Sequence, residues 1–170
     1  MNLKYSKNFI LSEEDIIKYI LNRCEKLKIE PSKNKLILFH THNKFLLMAH
    51  DQDRLQFLGN IVANHKKMPL SECIKDYEIH LKEALSIPPT TKRHINTLMH
   101  IFGHFSKDFD QSQKESFLDL LEQFREGKIT LGATLWEIEP LVYLHNKTYL
   151  ASQTYFLVYA EKRTLQFFKN

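Results

Sequence analysis

The feature that most constrains this chain is its lack of breakers: its 170 residues include only 4 glycines and 5 prolines. These two residues end or bend regular structure, so their scarcity leaves long elements joined by short connections. Between them the apolar residues recur three and four positions apart, which is the spacing of a helix face and not the alternation of a strand. We therefore expect an all-α fold: one domain over residues 1–170, a bundle of about six to eight helices. The stretch 157–170 is ambiguous, because its Val, Tyr, Thr and Phe residues would also suit a strand. A chain of this length buries roughly two-thirds of its unfolded surface, so no disulfide or metal staple is required.

Local signals place the helices. Ser12 followed by Asp15 makes a capping box and opens the first, with Ile16, Ile17, Ile20, Leu21, Cys24 and Leu27 at helical spacing. Pro31-Ser32 ends it and starts the second, read as one helix from about Ser32 to Ala49. Apolar residues surround most of that helix, so it should be central. Asp51 caps a third helix to Asn64, a basic loop follows at His65–Pro69, and Ser71–Leu85 is the fourth helix. Pro88-Pro89-Thr90-Thr91 starts the fifth, which reaches Phe105. Its apolar face is Ile95, Leu98, Met99, Ile101 and Phe102, and its polar stripe is Arg93, Asn96, Thr97, His100 and His104. Asp110 or Ser112 caps the sixth, which Gly127 stops. Leu131–Ile138 is a further helical piece that Pro140 should kink or break. Asn146 could cap a last helix over Tyr149–Phe156.

The start, MNLKYSKNFI, has no apolar run and no cleavage site, and no segment approaches the ~18 apolar residues of a membrane span. We expect a cytoplasmic chain with no membrane partner. Cys24 and Cys73 belong to no CxxC pair, and we expect both to be reduced and buried. The net charge of +4 is uneven: residues 1–67 hold 12 Lys/Arg against 7 Asp/Glu, and residues 68–170 hold 12 against 13. A basic first third suits a solvated surface or an acidic partner such as nucleic acid.

Six of the 9 histidines lie in two segments, Phe39–His50 and Thr90–Phe105. His100 and His104 are spaced to face one cation, but the metalloprotease pattern needs Glu where Ile101 stands, and no carboxylate or cysteine completes a shell. There is no GxSxG and no glycine-rich phosphate loop. We expect neither metal nor cofactor, and no catalytic motif is recognisable. The best constellation is Thr90-Thr91-Lys92-Arg93-His94 at a helix start, where unpaired N–H groups and the dipole favour an anion. Arg93 could grip phosphate bidentately and Lys92 would add a point charge. The alternative is a threonine cap with Lys92 solvated and Arg93 in a structural ion pair. Lys44 would sit on the central helix, beside His40 and His42, as a second cationic group.

FHTHNKFLLMAH with LGNIVAN, then TKRHINTLMHIFGHFSK, then FREGKITLGATLWEIEPLVY with YLASQTYF, run in this order along the chain. Together they resemble the three signature blocks of the YbgA-like family, a bacterial domain of unknown function, over about residues 32–157. The chain departs from the family pattern at Thr130-Leu131-Gly132, where a Pro-Leu pair is usual, and at Lys92, where Gly is frequent. The family occurs alone or behind a domain that removes sulfur from thiouracil-type bases. The resemblance therefore implies an accessory role near modified RNA, with a desulfidase-type protein as partner. It also adds Gln153 of the third block to the pocket candidates, which are His40, His42, His50 and His104.

The leading expectation is an accessory RNA-binding domain, with tRNA as the natural ligand, linked to thiolated-base metabolism. Lys44, Thr90, Thr91, Lys92, Arg93, His94, Asn96 and His100 would then line a groove formed where the two histidine-bearing helices pack together. A small-molecule site or enzyme with a buried His/Lys/Arg pocket is the alternative, and a protein-interaction scaffold is a third. Oligomeric state is not legible.

Overall fold

In the computed structural model, residues 11–144 and 148–161 are described, and within them every regular element is a helix. α1 (Glu13–Ile29) opens with the expected capping box: Ser12 Oγ accepts from Asp15 N–H at 3.1 Å, and the Asp15 carboxylate accepts from Ser12 N–H. Its turns bury Ile16, Ile20, Cys24 and Leu27. α4 (Gln52–Ala63) is capped by Asp51, whose carboxylate accepts from the N–H groups of Asp53 and Arg54. α5 (Leu70–Leu85) buries Ile74, Tyr77, Leu81, Ala84 and Leu85, the face that its spacing predicts. Cys24 and Cys73 are free thiols in this core, and burial pushes the Cys24 thiol up to about 12.

One expected helix is two. α2 (Lys33–His42) and α3 (Lys44–His50) meet at Asn43, whose backbone leaves the helical range at φ −98°, ψ 4°. The cause is local. Asn43 Nδ2 donates to Phe39 O at 2.7 Å, a side-chain bond that competes with the helix ladder. The break changes what is central. Every residue of α3 from Phe45 to His50 is buried, whereas α2 leaves Ile37 and Leu38 exposed. The expected loop at 65–69 begins with a single 3-10 turn, His65–Lys67.

α6 (Thr91–Gly103) lies against α3 on one side and α7 (Gln111–Arg125) on another. Asp110, not Ser112, caps α7, in a capping box with Gln113. After α7, Gly127 takes φ 72° and lets the Lys128 N–H reach back to Gln123 O at 2.9 Å. Alanine there would carry a Cβ into the left-handed region, so Gly127→Ala should destabilise by about 1 kcal/mol. Urea unfolding checks this, and an unchanged midpoint would refute it.

α8 (Leu131–Leu144) is longer than expected and runs on through Pro140. Packing on α7 and α9 holds the turn that proline weakens. α9 (Thr148–Ala151) and α10 (Thr154–Tyr159) replace the single expected last helix. Residues 154–159 are helical, which removes the strand option there; residues 162–170, Asn146 and the lead-in 1–10 lie outside the described residues. A Cβ on Gly132 would stand 3.2 Å from both Glu161 N and Tyr159 O, so the backbone after α10 crosses the start of α8 closely there. Among the described residues no helix is long and apolar enough to cross a membrane.

Candidate functional site

The kink at Asn43 distributes the histidines of the first segment. On α2, His40 turns toward α5, and its Nδ1 lies 3.1 Å from the Tyr77 hydroxyl. Its other edge faces Gly59 on α4. Burial, with Lys44 nearby, holds the imidazole down to about 4, so it is neutral at pH 7. His42 points elsewhere, into a groove against α1. Lys44 itself is exposed, so no charge is stranded on the buried helix α3. Asn43 Oδ1 has no hydrogen-bond partner among the described residues.

α3 and α6 do pack together, as expected, but only two of the histidines converge. His50, at the end of α3, is wholly buried, with Nδ1 2.8 Å from Ile87 O. A carbonyl only accepts, so Nδ1 carries the proton and Nε2 faces the Tyr159 hydroxyl at 3.5 Å. Tyr159 donates to Glu13 Oε2 at 3.1 Å, joining α10 to the start of α1. His94 lies on the other side of the Tyr159 ring, 5.2 Å between centroids, and its Nδ1 is 2.8 Å from the Tyr155 hydroxyl. Burial holds His50 down and His94 down to about 4, and it raises Glu13. His50, His94 and Tyr155 are thus buried around the half-buried Tyr159, whose hydroxyl reaches out to the exposed Glu13. The sequence indicated the histidines but not the tyrosines or Glu13, because the partners come from helices more than 60 residues away.

The start of α6 is built differently from the expected anion site. Thr90 spends its hydroxyl on the cap, accepting from Arg93 N–H at 3.3 Å. The Arg93 guanidinium donates to Pro88 O at 3.2 Å, and His94 faces inward. Thr97, expected on the polar stripe, is buried and donates to Arg93 O. Contacts with α3 and α7 on two sides leave a narrower exposed strip: Thr91, Lys92, Asn96, Met99 and His100. Asn96 donates to Gln52 Oε1 at 3.0 Å. His104 packs its ring on Phe45 and Tyr149. The residues expected to line one groove are therefore divided: Lys44 stands exposed at the head of α3, His94 turns into the core, and Thr91, Lys92, Asn96 and His100 stay on the α6 strip.

Gln153 has a structural role. Its Nε2 donates to Thr41 O at 2.8 Å, and its Oε1 accepts from Phe45 N–H at 3.4 Å. These are the backbone groups that the Asn43 kink strands at the end of α2 and the start of α3.

A groove of about 700 Å³ lined by several basic side chains lies between α1 and α2. Arg23 and Lys26 stand on the α1 wall, and Lys35 and His42 on the α2 wall. The carboxylate in it, Glu30, is held by Lys35, which lowers its pKa. Lys26 makes no hydrogen bond or ion pair among the described residues. The Arg23 guanidinium donates to the Tyr19 hydroxyl at 2.9 Å and lies 5.6 Å from that ring's centroid. Ile29 and Leu38 leave 78% and 52% of their surface exposed on the rim, which is unusual beside so many charges. Of the expected site residues only His42 is here. The signal that pointed to the groove was the charge excess of residues 1–67. By contrast a cavity of about 550 Å³ between α7 and α8 contains a carboxylate, Glu137, and no cation. Among the described residues no three His, Cys, Asp or Glu side chains are grouped to hold a metal ion.

The chain matches, over residues 44–160, the family described as "Protein of unknown function (DUF1722)". It is 29% identical over 140 residues to the uncharacterized protein YbgA of Escherichia coli (strain K12), covering 81% of this chain and 83% of that protein. No solved structure matches it significantly. With more than half of its length matched, the chain belongs to the DUF1722 family.

Proposed function

We propose that this member of the DUF1722 family is a nucleic-acid-binding accessory protein whose ligand is RNA, tRNA above all. The observation that carries the reading is the α1–α2 groove: Arg23 and Lys26 on one wall, Lys35 paired with the one lining carboxylate on the other, and the Tyr19 ring beside Arg23. Electrostatic contact with phosphates supplies most of the affinity of such a surface, and it is steeply salt-dependent. The exposed Lys44 and, on the α6 strip, Lys92 add positive surface outside the groove. The link to thiolated bases rests on the family's desulfidase fusions. A desulfidase-type partner acting on the bound RNA, in the cytoplasm, completes the proposal. The enzyme alternative draws less support, because His40, His50 and His94 are each committed to a tyrosine or a carbonyl instead of lining a shared cavity.

Filter binding of tRNA across a salt series tests the reading. Engagement of the groove cations should give a log–log slope of magnitude about 2 to 3, at roughly 0.7–0.9 per phosphate neutralised. Lys26→Ala should reduce that magnitude by roughly one without altering the fold, since Lys26 is exposed. Absence of binding at low salt, or a flat slope, would remove the proposal.

A further inference from the structure

We infer that the α1–α2 groove takes single-stranded nucleic acid, with a base lying against Tyr19 and the adjoining phosphates on Arg23, Lys26 and Lys35. This rests on the nucleic-acid reading above and goes further by naming the form of ligand. Three observations carry it.

The first is the alternation of chemistries within one trough. Cations alone would suit any polyanion. Here Ile29 and Leu38 expose apolar surface beside them, and the half-buried Tyr19 adds its ring to the lining. A duplex presents phosphates and sugar edges and keeps its base faces stacked inside, so it would leave that apolar surface uncovered. A single strand carries a flat apolar face at each nucleotide and can cover it.

The second is the Tyr19–Arg23 pair. The guanidinium is held at 2.9 Å from the hydroxyl, one turn along α1, with its carbon over the ring at 5.6 Å from the centroid. A ring and a guanidinium held together offer the two groups a nucleotide needs, a flat surface for its base and a cation for the phosphate that follows it. Holding both groups before the ligand arrives also lowers the ordering cost of binding.

The third is size and position. A groove of about 700 Å³ is on the scale of a small-molecule pocket, so it accommodates a short stretch of strand and not the width of a helix of RNA. Arg23 and Lys26 stand on one wall and Lys35, paired with Glu30, on the other, so a strand laid along the trough meets basic side chains on both sides.

Fluorescence anisotropy on the full chain with four probes tests the inference: an unstructured RNA oligonucleotide, the DNA of the same sequence, the RNA duplex and polyglutamate. The single strands should bind at least about tenfold more tightly than the duplex or polyglutamate. Tyr19→Leu should weaken single-strand binding by about tenfold, the loss of one stacked base, and leave the salt slope unchanged. Tyr19→Phe should restore binding, which a merely structural hydroxyl bond to Arg23 would not do. Leu38→Glu alters a residue that is already exposed, so it should preserve the helical circular dichroism while abolishing binding. Duplex binding equal to or tighter than the single strand would overturn the inference and leave the nucleic-acid reading standing. So would single-strand binding indifferent to both Tyr19→Leu and Leu38→Glu. Equal binding of polyglutamate would reduce the groove to a general anion trough and overturn it as well. If neither tRNA nor any oligonucleotide binds, the nucleic-acid reading itself falls.

Discussion

Lowering the pH from about 7 to about 4.5 should cost the native state about 3 to 4 kcal/mol, and two buried histidines account for most of it. His40 and His94 are each held down to about 4, from an ordinary 6.5, chiefly by burial. The unfolded chain takes up a proton on each near 6.5, whereas the native chain refuses it until about 4. The stability they contribute is therefore complete above 6.5 and is lost progressively as the pH falls toward 4. His94, 7% exposed, should supply about 2 kcal/mol of the effect, and His40, with one edge nearer solvent and Lys44 beside it, somewhat less. His50 is shifted in the same direction. Glu13 opposes them: its carboxyl is raised, so the native state gains relative stability as that group protonates. Urea unfolding at the two pH values measures the difference. His94→Gln should lower stability at neutral pH, by leaving the Tyr155 hydroxyl a poorer partner, yet flatten the acid dependence by about half. A wild-type midpoint that does not move between the two pH values would show that these imidazoles are not buried in their neutral form.

The scarcity of glycine and proline and the helical spacing of apolar residues were enough to read the architecture, because helix formation is local. Capping is local too, and Ser12, Asp51, Thr90 and Asp110 all cap where the sequence places them. The reading failed where a local bond competed with the ladder or where a distant partner decided. Asn43 looks like one more residue of a helix until its side chain is seen to bond Phe39 O. Gln153 carries no periodic signal at all, since its meaning lies at Thr41 and Phe45. Face arithmetic put Thr97 with the exposed residues of α6, because it could not know that α3 and α7 would cover both flanks. The histidine clustering was real but was read as convergence. In the fold only His50 and His94 meet, on either side of Tyr159, while His40 bonds Tyr77 elsewhere. The groove was legible only as a charge excess, since Arg23 and Lys26 meet Lys35 and His42 only once α1 folds back on α2.

Replacing Gln153 with leucine should destabilise the chain by about 3 kcal/mol, a fall of roughly 10 °C in Tm for a protein of this size. The reasoning begins at the kink. A helix that breaks at Asn43 leaves carbonyls at the end of α2 and N–H groups at the start of α3 without ladder partners. Both helix ends are inside the protein here, Asn43 being 1% exposed, so water cannot satisfy them cheaply. The Gln153 carboxamide is a donor and an acceptor fixed in one plane, and it meets both needs, donating to Thr41 O and accepting from Phe45 N–H. Leucine matches its volume but supplies neither group, so two buried backbone atoms lose their partners at about 1–3 kcal/mol each. Gln153→Glu keeps the acceptor but loses the donor and adds a charge beside the Thr41 carbonyl, so it should be at least as damaging at neutral pH and recover partly in acid as the carboxyl protonates. Hydrogen exchange at the Phe45 amide distinguishes this account from general loosening. In Gln153→Leu that amide should exchange faster than its neighbours in α3, whereas a uniform increase along α3, or a loss below about 1 kcal/mol, would mean that the kink is held by packing alone.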